Sequence, residues 1–575
     1  MQKKWLIKNQ PESIEIENLR SELKVDRIIA SLLFQRNITS FNSAQSFFRP
    51  QLSDLHDPFL MLNLKEAAER LNLAIKEEQK ILIYGDYDVD GTTSVAMVYS
   101  YLKQHTDNLE FYIPDRYSEG YGVSMQGMEY AVEQKFDLII ALDCGVKSVD
   151  KVAYVKKHNI DFIVCDHHTP GEVLPDCFVL DPKQEGCLYP CKDLSGCGVG
   201  FKLLQGLCLL NEWNYERLFS YLDFVAISIG ADIVKITDEN RILCFHGIRL
   251  LNENGRTSFK SLLDLAGKSF PISLTDVVFT IAPRINAAGR IRSGKFAVEL
   301  MISEDVDTIK AIATEINQDN QERRALDQEI TMQAQEMIEA DESYASKKVT
   351  VVFDSNWHKG VVGIVASRLI EKHFKPTIVL TESNGLLTGS ARTINDFNIH
   401  DALLACEHLL EQFGGHQHAA GLTLKKENLP LFIQTLDETV KTTITLADES
   451  PIEHVDLEIH LDEIFQKSEN RMKVPRLKRI LNQLEPHGPG NMNPVFLTRN
   501  VFATSFQVLK ETHLKMTVVQ ADSDSQIEAI GFNLADKQEV IAAGLPFEMI
   551  YTIEINRWKQ RETIQLNIKD IRSIL

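Results

Sequence analysis

The chain has 575 residues, of which 44% are hydrophobic and 25% charged, and its formal net charge is −20. This length exceeds what a single hydrophobic core supports, so we expect several domains. No apolar run reaches the roughly 20 residues that cross a bilayer, and the acidic balance argues against indiscriminate nucleic-acid binding. A negative net charge does not exclude a local stretch of basic residues that binds nucleic acid.

The nine cysteines and the polar start of the chain point to the cytoplasm. Lys8-Asn9-Gln10 interrupts any secretory signal, and so few cysteines in so long a chain make no disulfide framework. Cys177, Cys187, Cys191 and Cys197 lie close together but lack a Cys-x-x-Cys pair. We therefore expect reduced, partly buried thiols in preference to a zinc site.

Strand-like and helical runs alternate in two regions, and a longer helical pattern separates them. Continuous Ile, Val and Leu runs predict a parallel sheet covered on both faces, in an α/β fold. No Gly or Pro lies between Phe296 and Lys359, which predicts a long helix near Val306–Ala340. The second α/β region includes a predicted helix over Ile399–Gln412. Five short β segments after Glu453 predict a small barrel of the oligonucleotide-binding (OB) type. The predicted segments are a helical N-terminal segment (1–62), a catalytic α/β domain (63–300), a connecting helix (301–345), a smaller substrate-binding α/β domain (346–450) and an OB-like barrel (451–575).

Acidic or His-containing segments follow four apolar runs of the first α/β region. They are Gly85-Asp86-Tyr87-Asp88-Val89-Asp90-Gly91, Asp143-Cys144-Gly145, Asp166-His167-His168, and Asp232 after Ile227–Ala231. Charged groups beside apolar strands are costly unless compensated, and ligands of open α/β sheets lie at the carboxyl ends of strands. We therefore predict a site for two divalent ions.

The ligand types indicate which ions and which chemistry. Carboxylates with imidazole and no thiolate favour Mn²⁺ or Mg²⁺. In an extended loop the side chains of Asp88 and Asp90 would lean the same way, toward two adjacent ions, and Asp143 would bridge them. Two ions about 3.5–4 Å apart can activate water and stabilise both oxygens of an in-line displacement at phosphorus. His168 would then be free to contact the scissile phosphate.

Each of these segments alone has a simpler explanation. A single Asp-x-Asp is commonly a turn or a helix cap, and a His-His pair commonly lies in a solvated loop. An aspartate beside an apolar helix, such as Asp232, is often a buried carboxylate with satisfied hydrogen bonds. Their joint occurrence favours the shared site.

Together these motifs resemble the DHH phosphoesterase superfamily, and within it the RecJ family of single-strand-specific exonucleases. The resemblance implies that Asp88, Asp90, Asp143, His167 and Asp232 are metal ligands. It assigns supporting roles to Asp86, Asp166 and His168; Asp86 is also a candidate ligand, and Asp143, Asp166 and His168 are the candidate catalytic residues.

Further segments predict substrate contacts. Gly389-Ser390-Ala391-Arg392 and the Gly-Gly-His segment at His416 resemble parts of the DHH-associated substrate domain, and the segment from Ile281 to Arg290 resembles one characteristic of RecJ. The candidate contacts with phosphate or DNA are Arg116, Arg284, Arg290, Ser390, Arg392, His416 and Trp558. A tight glycine turn or ordinary surface ion pairs would also explain these residues.

The resemblance implies a 5′-to-3′ exonuclease that acts on single-stranded DNA in repair and recombination. It also implies single-stranded DNA as partner, with a single-strand-binding protein and a helicase as further partners. Two alternatives remain open at this point. One is a phosphodiesterase for short oligonucleotides or cyclic dinucleotides, and the other is a non-catalytic replication scaffold.

Overall fold

The structure, a computed structural model, describes residues 3–9, 13–444, 450–465, 474–523, 525–558 and 561–574. The chain divides into two compact units, of which one comprises Met1–Ser53 with Ile452–Leu575 and the other Asp54–Pro451. No helix in these described ranges is long and apolar enough to cross a membrane.

The strands are β1 (Lys4–Ile7), β2 (Ile81–Gly85), β3 (Leu109–Tyr112), β4 (Leu138–Leu142), β5 (Asp161–Cys165), β6 (Phe178–Leu180), β7 (Thr350–Phe353), β8 (Thr377–Ser383), β9 (Leu386–Arg392), β10 (Gln412–His416), β11 (Ala419–Leu424), β12 (Ile452–Val455), β13 (Leu457–Glu458), β14 (Phe496–Leu509), β15 (His513–Gln520), β16 (Ile527–Gly531), β17 (Phe547–Trp558) and β18 (Arg561–Ser573).

The α-helices are α1 (Ser13–Leu23), α2 (Arg27–Phe34), α3 (Phe41–Phe48), α4 (Leu64–Lys76), α5 (Val89–Leu102), α6 (Met125–Glu133), α7 (Val149–Lys156), α8 (Gly196–Asn211), α9 (Tyr215–Phe219), α10 (Leu222–Ala231), α11 (Asp238–Asn254), α12 (Thr257–Leu265), α13 (Leu274–Asp276), α14 (Ala282–Ile291), α15 (Lys295–Ile302), α16 (Val306–Ala340), α17 (Ser343–Ser346), α18 (Val362–His373), α19 (Ile399–Leu404), α20 (Leu429–Thr443), α21 (Arg476–Asn482) and α22 (Gln538–Ala542).

The first sheet of the larger unit is wholly parallel, in the order β3-β2-β4-β5-β6. Every residue of β2 and of β4 is buried, as expected for strands covered on both faces. The register pairs Gly85 with Leu142, Leu142 with Cys165, and Cys165 with Leu180. The carboxyl ends of four neighbouring strands therefore lie side by side, which confirms the predicted sheet.

The long helix α16 covers 35 residues and has the bounds that the sequence predicts. Asp305 caps its first turn by accepting a hydrogen bond from the backbone N–H of Thr308 at 2.8 Å. Buried residues recur along one side of the helix, from Ile309 to Ile338. This single helix joins the two α/β regions of the larger unit.

The second sheet has the order β10-β11-β9-β8-β7, with β7 parallel to β8 and the other pairs antiparallel. The predicted helix over Ile399–Gln412 begins at Ile399 as expected, but its predicted end is wrong, because α19 ends at Leu404 and Gln412 begins β10. Strand β10 carries two glycines, which have low β propensity, so its pattern does not resemble a strand. Its pairing with β11, from Gln412–Thr423 to His416–Ala419, places it in the sheet.

The smaller unit contains a closed five-stranded barrel, because β14 pairs with both β15 and β17, and β16 and β18 complete the ring. This confirms the predicted OB-like barrel. Its buried core also includes apolar residues of α2, such as Ile29 and Leu32. Strand β1 pairs in parallel with β12, so the beginning of the chain packs with its last third. The sequence gives no sign of that pairing, since the two strands are more than 400 residues apart.

Candidate active site

Four successive strands of the parallel sheet are each followed directly by an aspartate. Asp86 follows β2, Asp143 follows β4, Asp166 follows β5 and Asp181 follows β6. All four are at most 2% exposed. The strand register therefore gathers four carboxylates along one edge of the sheet.

Asp143 lies at the centre of this edge, in a conformation that few aspartates adopt. Its φ is 59°, in the left-handed region, and its backbone N–H donates to the carbonyl of Cys165 at 2.8 Å. Left-handed geometry at a non-glycine residue carries a cost and is concentrated at functional sites. Burial raises the pKa of Asp143 well above its usual value, and the charges of Asp90 and Asp88 raise it further. Its Oδ1 accepts no hydrogen bond from the described residues.

Asp88 and Asp90 lie at the start of α5, so the extended loop in which their side chains would lean the same way is not formed. Asp88 caps the helix, and its Oδ1 accepts from the N–H of Gly91 at 3.0 Å. Asp90 is the second residue of the helix and is 1% exposed. A helix cap was the simpler explanation for the Asp-x-Asp segment, and the structure shows that Asp88 caps α5 while lying in the site.

His167 brings the carboxylates of three separate elements together. Its Nε2 lies 3.2 Å from Asp143 Oδ1, 3.5 Å from Asp232 Oδ2 and 3.7 Å from Asp90 Oδ2. Burial lowers the pKa of His167, which favours the neutral imidazole that binds metals. Burial and the charge of Asp90 raise the pKa of Asp232, at the end of α10, to about 8. Neither ring nitrogen of His167 has a hydrogen-bond partner in the described part of the chain.

Asp166 holds the second histidine. Its Oδ1 accepts from His168 Nδ1 at 2.7 Å, and its Oδ2 accepts from the N–H of Val146 at 2.9 Å. Burial alone would raise the pKa of Asp166, but the hydrogen bond and charge of His168 outweigh it and lower it to about 2. Burial likewise opposes the charged form of His168, yet Asp166 raises the pKa of His168 to about 9. His168 Nε2 lies 2.8 Å from the hydroxyl of Tyr121.

The cluster fits divalent cations. Two sets of possible ligand atoms lie within 4.8 Å of one another, Asp90 with His167 and Asp232, and Asp143 with His167 and His168. Several carboxylates whose pKa values are raised by burial, together with unpartnered oxygen and nitrogen atoms, need positive charge to be stable. The donors are oxygens and imidazole nitrogens, which suit Mn²⁺ or Mg²⁺. Asp86, with an unpartnered Oδ2, and Asp88 lie beside these sets but belong to neither.

Three of the predicted arginines gather in a second cluster within the same unit. Arg116 lies over the ring of Tyr87, with its guanidinium carbon 4.9 Å from the ring centre. Arg290 donates to the carbonyl of Gly360 at 2.8 Å, and Arg392 donates to Ser390 Oγ at 2.6 Å. Burial lowers the pKa of Arg290 to about 10, and the charges of Arg116 and Arg392 contribute. We call these residues, Arg116, Arg290, Ser390 and Arg392, the arginine cluster.

The remaining predicted contacts are placed differently. Arg284 is buried and donates to Asn317 Oδ1 at 3.0 Å and to the carbonyl of Thr280 at 2.8 Å. His416 is exposed at the end of β10, with its ring centre 6.4 Å from that of His168. Trp558 ends β17, but its side chain lies outside the described residues.

Two residues that the sequence reasoning missed belong to the site. Burial raises the pKa of Asp181 to about 7, and its Oδ2 has no partner among the described residues. The signal was the same as for the other strands, an aspartate after Val179-Leu180, but β6 has only three residues. Tyr121, whose hydroxyl contacts His168, comes from the loop before α6 and has no motif signal.

Models of three families match consecutive parts of the chain. The DHH family, N-terminal domain, matches residues 80–229; the DHHA1 domain matches 345–442; and the RecJ OB domain matches 455–570. The chain is 38% identical to the single-stranded-DNA-specific exonuclease RecJ of Bacillus subtilis, over 99% of this chain and 70% of that protein. It is 30% identical to the protein of the same name from Escherichia coli, over 88% of this chain and 90% of that protein.

Solved structures show the same fold. RecJ of Thermus thermophilus in complex with Mn²⁺ matches with a TM-score of 0.84 and 24% identity, over all of this chain and 80% of that one. A structure of exonuclease RecJ bound to manganese matches with a TM-score of 0.60 and 28% identity, over 69% of this chain and all of that one.

Proposed function

Because the chain belongs to the RecJ family of single-stranded-DNA-specific exonucleases, we propose that it removes nucleotides from the 5′ end of single-stranded DNA at the site described above. It is a metal-dependent nuclease that hydrolyses phosphodiester bonds. Asp88, Asp90, Asp143, His167 and Asp232 would hold two Mn²⁺ or Mg²⁺ ions, with Asp86 beside them. When bound, the ions would activate water and stabilise the charge that develops on the scissile phosphate.

The chain's own residues bind and orient the strand. His168 is held by Asp166 through Nδ1, and its Nε2 contacts the exposed Tyr121 hydroxyl at 2.8 Å, so Nε2 can turn its proton from that hydroxyl to a phosphate oxygen or to the leaving oxygen. Asp166 also accepts from the backbone N–H groups of His167 and His168, which fixes both histidines relative to the sheet edge. The exposed ring of His416 has its centre 6.4 Å from that of His168 and can contact the same strand.

The arginine cluster is the observation that carries the 5′ polarity. In the described residues, no carboxylate lies within 4.0 Å of the guanidinium groups of Arg116, Arg290 or Arg392, so their charge is left for a ligand. Arg116 is near enough to the acidic edge to lower the pKa of Asp86, against the larger effect of burial. A terminal phosphate monoester carries about −1.5 to −2 charge, more than an internal diester, so three arginines favour a strand end. Strand ends in cells commonly carry 5′ phosphate and 3′ hydroxyl groups.

The test is digestion of single strands labelled at one end or the other, in the presence of Mn²⁺. We expect a labelled mononucleotide to be released at once from 5′-labelled strands, and label on the 3′ end to persist in shortened strands. Immediate release of the 3′ label would contradict the proposal. A dinucleotide tested beside a long strand addresses the alternative, and preference for the dinucleotide would favour a short-oligonucleotide or cyclic-dinucleotide phosphodiesterase.

We also infer a setting for the enzyme, in DNA repair and recombination in the cytoplasm. All nine cysteines are free, which suits a reducing compartment. A substrate with single-stranded 5′ ends must be supplied by a reaction that separates duplex DNA, so a helicase is the expected upstream partner. A single-strand-binding protein is expected on the exposed strand. Blunt duplex DNA should resist the enzyme until a helicase and ATP are added, and digestion without them would count against this setting.

A further inference from the structure

Three hydrogen-bond donors from α8 and α10 hold the carboxylate of Asp90. The backbone N–H groups of Gly196 and Cys197, in the first turn of α8, donate to Oδ2 at 2.7 Å and Oδ1 at 2.8 Å. The hydroxyl of Ser228 donates to Oδ1 at 2.7 Å. Oδ2 is also the oxygen nearest to His167, at 3.7 Å from Nε2. These donors fix which part of the carboxylate faces the other ligands.

Ser228 is the side-chain donor of this set, and it is fully buried. The Ser228 hydroxyl has two acceptors within reach, Asp90 Oδ1 at 2.7 Å and Ser195 Oγ at 2.6 Å. An ionised carboxylate is the stronger acceptor, so we assign the single proton of Ser228 to Asp90. Ser195, which caps α8, has its Oγ 2.6 Å from Ser228 Oγ and so supports the hydroxyl from the other side. The position of Asp90 therefore depends on backbone N–H groups of α8 and on the Ser228 side chain of α10.

Ser228 also lies one helical turn before another candidate ligand. The backbone N–H of Asp232 donates to the carbonyl of Ser228 at 2.9 Å, at the end of α10. One residue thus contacts Asp90 through its hydroxyl and Asp232 through its backbone. A shift of α10 would move both carboxylates together, and the Ser228 hydroxyl ties that helix to α5.

We propose that Ser228 is a positioning residue of the metal centre, and that its hydroxyl tunes the affinity of the centre by holding Asp90. The proposal rests on the metal centre of the proposed function. Residues that orient metal ligands in this way typically contribute roughly 10–100-fold to metal affinity. A serine that served packing alone would contribute to folding and leave the affinity unchanged.

The test is calorimetric titration of the metal-free chain with Mn²⁺, without DNA, in the wild type and in Ser228→Ala. We expect the dissociation constant of Ser228→Ala to rise by roughly 10–100-fold. Ser258→Ala is the matched control, because Ser258 is a buried helical serine of the same unit, 2% exposed, whose hydroxyl bonds no described residue. It should bind Mn²⁺ as the wild type does. Thermal unfolding in a chelator checks that both variants fold.

The outcomes separate this inference from the proposed function. If the wild type binds no Mn²⁺, the proposed function fails and this inference fails with it. If the wild type and Ser228→Ala bind Mn²⁺ equally well, this inference alone is overturned. If Ser228→Ala does not fold, Ser195→Ala takes its place, with a smaller loss of affinity expected and an unchanged affinity contradicting the proposal.

Discussion

The acidic edge of the parallel sheet and the arginine cluster concentrate opposite charges within one unit of the chain. Burial raises the pKa of Asp143 and Asp232, and burial lowers the pKa of Arg290 and Arg392. In both places burial is the first cause, and neighbouring charges of the same sign add to it. Under the proposed function, this difference in sign fits cations at the acidic edge and a phosphate at the arginine cluster.

A buried ion pair elsewhere in the same unit has both of its charges compensated, and we call it the complete pair. Lys202 and Glu239 are both 0% exposed, and Lys202 Nζ donates to Glu239 Oε1 at 2.7 Å. Lys202 also donates to the carbonyl of His56, and Tyr189 donates to Glu239. Both charges have a counter-charge and hydrogen-bond partners within the protein, so the pair requires no ligand. A compensated pair such as Lys202–Glu239 therefore does not by itself indicate a ligand site.

The largest effect is expected at the acidic edge, from Asp143→Asn. This change keeps the shape of the side chain and removes the charge at the centre of the cluster. Loss of a metal's contribution of several kcal/mol corresponds to roughly a thousandfold or more in rate. Mn²⁺ titration and digestion of 5′-labelled strands would measure both losses. Asp161→Asn, at the exposed amino end of β5 in the same sheet, is the control and should behave as wild type. Wild-type digestion by Asp143→Asn would contradict the assignment of the acidic edge.

The acidic edge was predictable from sequence because its signal is local. A short apolar strand followed by Asp can be recognised without any knowledge of the partner strands, and Asp86, Asp143 and Asp166 all follow that pattern. Parallel pairing then brings them together as a matter of topology. Asp181 was not predicted, because the three-residue strand before it is too short to be recognised as a strand in the sequence.

Other parts of the site depend on tertiary structure and could not be predicted in detail. The alternation of Asp88 and Asp90 suggested an extended loop, but the capping bond from Gly91 to Asp88 starts a helix there. The arginine cluster joins Arg116, Arg290 and Arg392 from segments more than 100 residues apart. Their proximity follows from the packing of the two α/β regions on α16, which no local pattern records.

The next largest effect is expected from breaking the complete pair with Lys202→Met. This leaves Glu239 buried without its partner, and such changes cost about 3–5 kcal/mol of unfolding free energy. Urea unfolding of the metal-free chain would measure it. Lys103→Met, which removes an exposed ion pair with Asp107, should show no measurable loss. Because the pair lies outside both clusters, the activity per folded molecule should stay near that of wild type. Full stability of Lys202→Met would refute the distinction between complete and incomplete pairs.

A smaller and more specific effect is expected at the arginine cluster, from Arg392→Gln. A charge-assisted hydrogen bond contributes about 1.5–3 kcal/mol, so KM for 5′-phosphorylated strands should rise about 10- to 150-fold. Strands with a 5′ hydroxyl lack the charge that Arg392 would bind, so their KM should change far less. Arg249→Gln, at an exposed arginine paired with Glu253, is the control. Equal effects on both kinds of strand would show that Arg392 does not bind the 5′ phosphate.

The smallest effect on activity is expected from Tyr121→Phe, at the solvent-exposed side of the acidic edge. Tyr121 is 58% exposed, and its hydroxyl makes one hydrogen bond to His168 Nε2. A bond of this kind contributes about 0.5–1.5 kcal/mol, so kcat on single strands should fall by no more than about tenfold.

Asp166→Asn is the informative comparison for that change, because it acts on the other nitrogen of the same ring. Asp166 is 1% exposed and accepts from Val146 N–H through one oxygen and from His168 Nδ1 through the other. An asparagine would turn its NH₂ group toward one of these donors, and two donors would then face each other in a buried place. Asp166→Asn should therefore lower kcat more than Tyr121→Phe does. The opposite order would mean that the exposed Tyr121 orients His168 more than the buried Asp166 does. The hydrogen bond from Asp166 would then contribute less to kcat than its burial suggests.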